Sequence, residues 1–160
     1  MIIIVMGVSG CGKTTIGMQL ALELGFDYYD ADDFHPQSNI DKMQRGKALN
    51  DVDRKPWLTS LSQKLSSWED DNGVVLACSA LKESYRRILA SNVSNIHWVY
   101  LQGAFNTIES RIKKRAGHFM KSNLLESQFN ALEEPNYGLY VNIENKPLDI
   151  IQIIISKIKK

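Results

Sequence analysis

Residues 2–14 read IIIVMGVSGCGKT, and this stretch decides the fold. Its second part, Gly7-Val-Ser-Gly-Cys-Gly-Lys13-Thr14, matches the pattern G-x-x-x-x-G-K-[ST] of a phosphate-binding loop. The apolar, β-branched run Ile2 to Val5 before it predicts a buried strand. Beyond the loop, apolar residues recur every four positions until Gly25, which predicts an amphipathic helix with a glycine stop. A strand, a glycine-rich loop and a helix in this order are the context that supports the motif.

The residue types of this loop suit a nucleoside triphosphate. Small residues let successive backbone N–H groups turn inward around phosphate oxygens, at the positive end of the following helix. Lys13 then reaches the β and γ phosphates, and the Thr14 hydroxyl becomes a ligand of Mg²⁺. We therefore predict ATP and Mg²⁺ as cofactors, with Cys11 as a small filler residue. The predicted nucleotide-binding residues of the loop are Gly7, Ser9, Gly10, Cys11, Gly12, Lys13, Thr14 and Thr15.

Outward from the loop, short apolar runs alternate with stretches of helical periodicity. This alternation predicts an α/β fold in which a five-stranded parallel sheet is sandwiched by helices. The predicted strands are Ile2 to Val5, Phe26 to Tyr29, Val74 to Cys78, Ile96 to Leu101 and Leu139 to Ile143. A last helix is expected to begin near Pro147 and to bury Leu148, Ile151, Ile154, Ile155 and Ile158. Ala31 to Lys55 fits neither pattern and is interpreted as an irregular segment that carries function.

Length and composition narrow the class of protein. A chain of 160 residues predicts a single domain over residues 1–160. There are 19 Lys and Arg against 18 Asp and Glu, so the net charge of +1 gives no reason to expect nucleic acid or an acidic membrane as a partner. The apolar run near the start is too short to span a membrane, and two cysteines are too few for a disulfide framework. We expect a cytoplasmic location.

Carboxylates follow the second predicted strand in the segment Asp30-Ala-Asp32-Asp33-Phe-His35. Ligands of a doubly wound sheet bind beyond the carboxyl ends of its strands, so Asp30 and Asp32 should face the bound phosphates. Their period-two spacing would put both on one side. We predict that Asp32 accepts the proton of an attacking hydroxyl and that Asp30 and Thr14 hold the metal.

Further blocks of sequence complete a resemblance to a known family. They are Asp32-Asp-Phe-His35-Pro36, Asn39-Ile-Asp-Lys42-Met43, Gly46, Leu49-Asn50-Asp51, Asp53-Arg54-Lys-Pro56-Trp57-Leu58, Cys78-Ser79-Ala80-Leu81-Lys82, Tyr85-Arg86, and Glu109-Ser-Arg111 through Arg115-Ala-Gly117-His118-Phe119. Together with the phosphate loop, they resemble gluconate kinase over nearly the entire chain. The resemblance implies ATP-dependent phosphorylation of D-gluconate at its 6-hydroxyl, on a P-loop kinase fold with five parallel strands. It also implies a homodimer.

A sugar acid needs a cationic anchor and several hydrogen-bonding groups. Arg54, Lys82 and Arg86 are the candidate anchors for its carboxylate, and the last two lie four residues apart on one helix face. The predicted substrate segment covers about residues 31–58. The predicted substrate-binding residues are Asp32, His35, Asn39, Arg54, Ser79, Lys82, Arg86 and, within the blocks that carry the resemblance, His118.

The stretch from Arg111 to Lys121 contains five Lys or Arg and no acidic residue. Balanced net charge and the lack of interleaved stacking aromatics argue against an RNA-binding patch. A lid over ATP, at about residues 112–130, fits better. Arg111 and Arg115 are predicted to contact ATP, and Arg115 to stabilise the charge that builds up on the transferred phosphoryl group.

Two other readings of the residues remain open. A shikimate-like or nucleoside monophosphate kinase would bind a cyclic acid or a nucleobase in place of a linear polyol. A non-catalytic, nucleotide-dependent switch would signal through a partner, although it would not need the carboxylate that an attacking hydroxyl requires.

Overall fold

The computed structural model describes residues 1–115 and 122–159, and five strands lie within them. They are β1 (Ile2–Met6), β2 (Asp27–Asp30), β3 (Val74–Ala77), β4 (Ile96–Gln102) and β5 (Leu139–Asn142). All neighbouring strands pair in parallel, and their order across the sheet is β2-β3-β1-β4-β5. The five-stranded parallel sheet predicted from the sequence is confirmed.

Helices and one 3₁₀ turn (Ala31–Phe34) connect these strands. The helices are α1 (Lys13–Leu24), α2 (Gln37–Gln44), α3 (Asp51–Trp68), α4 (Glu83–Ala90), α5 (Phe105–Lys114), α6 (Ser122–Ala131) and α7 (Pro147–Ile158). Within the described ranges, none of these helices is both long and apolar enough to cross a membrane.

The strand β1 lies at the centre of the sheet, and all of its residues are buried. Side chains of a strand alternate between the two faces of a sheet. Ile3 and Val5 therefore join the core formed with α1 and α7, whereas Ile2 and Ile4 join the core formed with α3. Burial on both faces explains why the sequence before the phosphate loop is an unbroken apolar run.

The helix α1 begins directly after the phosphate loop and ends as predicted. Gly25 adopts a left-handed φ of 68°, and its N–H is directed at the carbonyl oxygens of Ala21 and Leu22. This αL cap satisfies carbonyl groups at the helix end and confirms the glycine stop. Because α1 starts at Lys13, its amino-terminal N–H groups lie where the loop would hold phosphates.

Two predictions about elements are wrong. Leu148 is 62% exposed. The buried stripe of α7 consists of Ile150, Ile151 and Ile154, and at about 100° per residue Leu148 lies about 110° away from the centre of that stripe. Residues 31–55 are not irregular, since they contain the 3₁₀ turn, α2 and the start of α3. The buried residue of α2 is the polar Asn39, so no apolar stripe marks this helix in the sequence.

Candidate functional site

The carboxyl ends of β1, β2 and β3 meet at one edge of the sheet, and polar segments follow each of them. The phosphate loop follows β1, Asp30 ends β2, and Ser79 comes shortly after β3. The Gly7 N–H donates to the carbonyl oxygen of Ser79 at 3.3 Å and joins two of these segments. Ligands of such sheets bind beyond the carboxyl ends of the strands, so this edge is the candidate active site.

Lys13 lies along the phosphate loop. Its Nζ donates to the carbonyl oxygens of Gly7 and Val8, each at 3.0 Å. The ammonium group is therefore held beside the loop that would cradle the nucleotide phosphates. Cys11 is 2% exposed, and burial raises the pKa of its thiol against the opposing charge of Lys13. A buried, neutral thiol is a filler and not a reactive thiolate.

Two helices support the loop from outside. Gly10 has a φ of 79°, and a Cβ at this position would lie 2.6 Å from Cγ1 of Ile112 on α5. On α6, Oε1 of Gln128 accepts from the Ser9 N–H at 2.7 Å, and its Nε2 donates to the Ser9 hydroxyl at 2.8 Å. The sequence reasoning missed Gln128. No local pattern signals this contact, because 119 positions separate the two residues.

Asp30 and Asp32 lie together, but not through strand alternation. Asp30 is the last residue of β2 and Asp32 belongs to the 3₁₀ turn, so the period-two argument is wrong. Asp30 instead caps the turn, since its Oδ1 accepts from the Asp32 N–H at 2.9 Å. The Asp32 side chain is 84% exposed.

The environment of Asp32 suits a base. Desolvation and then the negative charge of Asp30 raise the pKa of Asp32, against the opposing charge of Lys13. A carboxylate with a raised pKa holds a proton more strongly than an ordinary aspartate. Asp32 follows β2 and the phosphate loop follows β1, so both lie at the edge of the sheet where the strands end.

Thr14 and Asp30 are the predicted metal ligands, and their chemistry fits Mg²⁺. Thr14 is exposed in the first turn of α1, and Asp30 has a second carboxylate oxygen besides the one that caps the turn. In the part of the chain that the structure describes, no group of three or more His, Cys, Asp or Glu could hold a metal. Mg²⁺ prefers oxygen ligands and keeps water and substrate phosphates among them, so one carboxylate and one hydroxyl are sufficient.

The imidazole ring of His35 is buried between the side chains of its neighbours. Its ring stacks on Trp57 with centroids 4.1 Å apart, and its side chain is 5% exposed. Its Nδ1 lies 3.2 Å from Nδ2 of Asn39, and its Nε2 lies 3.8 Å from Oδ1 of Asp32. Burial, followed by the charge of Arg54, lowers the pKa of His35. Both effects favour the neutral form of the ring.

Asn39 is placed behind His35, and this corrects its predicted role. The residue is 3% exposed, and its Nδ2 also donates to the carbonyl oxygen of Asp53 at 2.9 Å. Both amide hydrogens thus have partners inside the protein. Asn39 supports His35 and does not offer its amide hydrogens to a substrate hydroxyl.

Arg54 and Lys82 approach the same aromatic ring. The Arg54 guanidinium lies 5.5 Å and the Lys82 ammonium 5.6 Å from the centroid of Tyr85. Arg54 also donates to the carbonyl oxygen of Leu49 at 2.6 Å. Asp51 accepts from the Tyr85 hydroxyl and from Lys82, and these bonds lower the pKa of Asp51. The structure brings two predicted anchors together and adds Tyr85 and Asp51, which lie in the family-like blocks of sequence.

Arg86 is wrong as a substrate anchor. The residue is 1% exposed, and its Nη1 donates to the carbonyl oxygens of Ala80 and Leu81 at 2.7 and 3.2 Å. Its Nη2 donates to the carbonyl oxygen of Glu133 at 2.8 Å, and its Nε donates to the Glu83 carboxylate at 3.0 Å. A guanidinium buried in this way has no free face for a substrate. Arg86 holds together the segments that surround the site.

The two arginines predicted to contact ATP, Arg111 and Arg115, lie within the residues that the structure describes. Arg111 lies on α5, and its Nη2 donates to the carbonyl oxygen of Ile143 at 2.8 Å. Arg115 is exposed directly after α5. The predicted lid, residues 112–130, includes the end of α5 and most of α6, whereas residues 116–121, with His118 among them, lie outside the described residues.

Comparison with known proteins identifies the family. The shikimate kinase family model matches residues 9–151. The thermoresistant gluconokinase of Escherichia coli is 41% identical over 99% of this chain and 94% of its own length, and the gluconokinase of Arabidopsis thaliana is 44% identical over 82% and 77%. The crystal structure of a gluconokinase from Sinorhizobium meliloti superposes with a TM-score of 0.88 at 36% identity, covering 96% of this chain and 89% of that one. The chain therefore belongs to the shikimate kinase family of P-loop kinases and, within it, to the gluconokinases.

Proposed function

We propose that this protein transfers the γ-phosphoryl group of ATP to the 6-hydroxyl of D-gluconate and so forms 6-phospho-D-gluconate. One observation carries the proposal: a phosphate loop, a carboxylate with a raised pKa and two cations around one tyrosine lie at the same edge of the sheet. These groups suit, respectively, a triphosphate, an attacking hydroxyl and an anionic polyol.

The phosphate loop and Lys13 bind the triphosphate. Backbone N–H groups of residues 7–14 bind phosphate oxygens, and Lys13 offsets charge on the β and γ phosphates. Thr14 and Asp30 would hold Mg²⁺, which when bound would supply further charge neutralisation on the phosphates. Arg111 and Arg115 contact ATP beside the proposed lid, and Arg115 stabilises charge on the transferred group.

Asp32 accepts the proton of the attacking hydroxyl. The hydroxyl oxygen forms a bond to the γ phosphorus while the bond to the β–γ bridging oxygen breaks, and ADP leaves with those electrons. The hydroxyl proton passes to the Asp32 carboxylate. Support comes from the raised pKa of Asp32, which the charge of Lys13 opposes, and from its place after β2 at the edge of the sheet where the phosphate loop lies.

The carboxylate of gluconate binds Arg54 and Lys82. Both cations converge on Tyr85, and Asp51 offsets part of their charge. Gluconate carries its carboxylate and its 6-hydroxyl at opposite ends, so an anchored carboxylate leaves the hydroxyl free to reach Asp32. The Ser79 hydroxyl and His118 are further proposed contacts of the substrate.

The protein acts in the cytoplasm as a homodimer, with small molecules rather than nucleic acid or membrane as its other partners. The two cysteines are free buried thiols, which fits a reducing compartment. Exposed Met18 and Leu22, four residues apart on α1, offer apolar surface to a second copy. The near-zero net charge fits the absence of a polyanionic partner.

Release of ADP across a substrate panel tests this function. The panel contains D-gluconate, other aldonic acids, shikimate and nucleoside monophosphates, each with ATP and Mg²⁺. We expect kcat/KM for D-gluconate to exceed that for the other aldonic acids by about tenfold or more. Shikimate and the monophosphates should give no more than the ATP hydrolysis seen without acceptor. A preference for shikimate or for a nucleotide contradicts the proposal.

A further inference from the structure

Hydrogen bonds behind Asp32 determine which nitrogen of His35 carries the proton. Nδ2 of Asn39 donates to the carbonyl oxygen of Asp53 at 2.9 Å. Because a carbonyl oxygen only accepts, this bond identifies which end of the Asn39 side chain is the NH₂ group. The same NH₂ group lies 3.2 Å from Nδ1 of His35, so Nδ1 accepts its second hydrogen. The proton of the neutral ring is therefore on Nε2, which faces Asp32.

Packing fixes the His35 ring in this orientation. The ring stacks on Trp57 at an interplanar angle of 18°. Nε1 of Trp57 donates to the carbonyl oxygen of Ala31 at 2.8 Å, so the same tryptophan also holds the residue next to Asp32. The His35 side chain is 5% exposed, whereas that of Asp32 is 84% exposed. The imidazole is thus a fixed group beside a carboxylate that is free to rotate.

We propose that His35, oriented by Asn39, is a positioning residue that donates from Nε2–H to Oδ1 of Asp32 and leaves Oδ2 for the attacking hydroxyl. The two atoms are 3.8 Å apart, and a small rotation of the exposed carboxylate brings them to hydrogen-bond distance. The inference rests on the proposed function, in which Asp32 accepts the hydroxyl proton. A carboxylate held through one oxygen keeps the other aimed at the substrate, which favours the geometry of attack.

The neutral state of His35 suits this role. The charged groups found beside it in the described residues are Asp32 on its own turn and Arg54 on α3, while α2 and α3 also present the neutral Asn39 and Trp57. Burial, followed by the charge of Arg54, lowers the pKa of His35. A neutral imidazole whose Nδ1 accepts from Asn39 still carries the Nε2 hydrogen that the contact with Asp32 needs.

Imidazole ¹⁵N chemical shifts test the tautomer directly. The chain has three histidines, and loss of signals in His35→Gln assigns those of His35. We expect the neutral Nε2–H tautomer in the wild type at pH 7 and a mixture of both tautomers in Asn39→Ala. An Nδ1–H tautomer or a charged ring in the wild type overturns the proposal. The measurement needs no turnover, so its outcome does not depend on gluconate being the substrate.

Kinetics of two His35 variants test the contact with Asp32. Glutamine can place an amide N–H near the position of Nε2, whereas asparagine places it near Nδ1, and both variants lose the stacking on Trp57. We expect His35→Asn to lower kcat by about 10- to 100-fold, with the gluconate KM within about twofold of wild type. His35→Gln should restore most of that loss.

Equal kcat values for His35→Asn and His35→Gln contradict the proposal. A raised gluconate KM with unchanged kcat also contradicts it, because His35 would then be a direct substrate ligand. A wild-type protein that phosphorylates no sugar acid contradicts the proposed function instead. The tautomer measurement would still stand in that case.

Discussion

Three charged residues at the site differ in their surroundings and therefore in the effects expected from their removal. Lys13 is held by carbonyl groups of its own loop. Asp32 is exposed, yet its pKa is raised by desolvation and by Asp30. Arg54 is fixed against Tyr85 and against the chain before α3. Single substitutions of these residues can therefore test nucleotide binding, proton transfer and substrate binding separately.

Lys13→Ala should lower kcat by about 10³-fold or more, because it removes the charge that follows the transferred phosphoryl group. The fold should persist, since the two bonds of this side chain stay within the loop. ADP release and thermal unfolding by circular dichroism measure the two effects. Lys159→Ala, an exposed lysine beyond α7, is the control. Near-normal turnover in Lys13→Ala would remove this lysine from the mechanism.

Asp32→Asn should lower kcat by about 10²- to 10⁴-fold, toward the lower end because phosphoryl transfer relies chiefly on positioning. Binding of ATP and Mg²⁺ should change little.

Asp30→Asn should instead shift the Mg²⁺ dependence, with activity partly recovered at high metal concentration. Steady-state kinetics with gluconate and Mg²⁺ varied independently separate the two effects. Interchanged behaviour of the variants would show that the roles are assigned wrongly.

The raised pKa of Asp32 gives a pH dependence of definite sign. A base acts only when ionised, so kcat/KM should fall as the pH falls through the pKa of Asp32, at a higher pH than the ordinary aspartate value of 3.8. Asp30→Asn removes a nearby negative charge and should move this acid limb to lower pH. Asp32→Asn should abolish it. If the acid limb of the kcat/KM profile stayed at the same pH in Asp30→Asn, a group other than Asp32 would be the one that titrates.

Arg54→Ala should raise the gluconate KM by about tenfold or more, because a charge-assisted hydrogen bond to the substrate carboxylate is lost. Lys82→Ala should have a smaller effect, since Lys82 already pairs with Asp51 at 3.2 Å. The ATP KM should not change in either variant. Arg45→Ala, an exposed arginine after α2, is the control. Equal rises in both KM values would contradict the anchoring role.

At the scale of elements, one buried side chain connects three segments around the site. Arg86 lies on α4 and donates to the loop that follows β3 and to the chain before β5. In that loop Ala80 has a φ of 45°, a left-handed conformation that is costly for a residue with a side chain. The hydrogen bond from Arg86 to the Ala80 carbonyl helps to hold this conformation beside Ser79.

Arg86→Met should lower the free energy of unfolding by about 3 kcal/mol or more, because buried carbonyl groups and Glu83 lose their donor. Arg87→Met is a matched control. Arg87 is 79% exposed and contacts the same Glu83 at 3.8 Å, so its loss should cost less than about 1 kcal/mol. Urea unfolding measures both. Similar losses in the two variants would mean that the buried bonds of Arg86 contribute little.

Secondary-structure elements are predicted correctly from the sequence where a local signal marks them. An apolar run marks β1, and Gly25 marks the end of α1. Prediction from the sequence fails for α2, whose buried residue is the polar Asn39, because periodicity detects only apolar stripes. It also fails for Arg86, since a spacing of four residues shows that two side chains share a helix face but not whether that face is buried. The contact of Gln128 with Ser9 depends on tertiary structure alone.

At the scale of the whole molecule, the parallel sheet assembles one site from distant parts of the chain. The loop after β1, the turn after β2 and the segment after β3 meet because the carboxyl ends of parallel strands share an edge. Helix α3 then brings Arg54 beside Tyr85 of α4. The sequence motif of the phosphate loop was enough to predict that the site lies at this edge of the sheet. The contacts of Arg54 with Leu49 and Tyr85 could be found only in the structure.

The measurement that tests the central claim most directly is the ³¹P NMR spectrum of the product formed from ATP and D-gluconate. A phosphate ester at carbon 6 couples to two protons and gives a triplet, an ester at a secondary hydroxyl gives a doublet, and an acyl phosphate gives a singlet. We predict a triplet that grows in step with ADP and that fails to form with Lys13→Ala. A doublet, a singlet, or ADP formed without any new phosphoester would contradict phosphorylation of gluconate at its 6-hydroxyl.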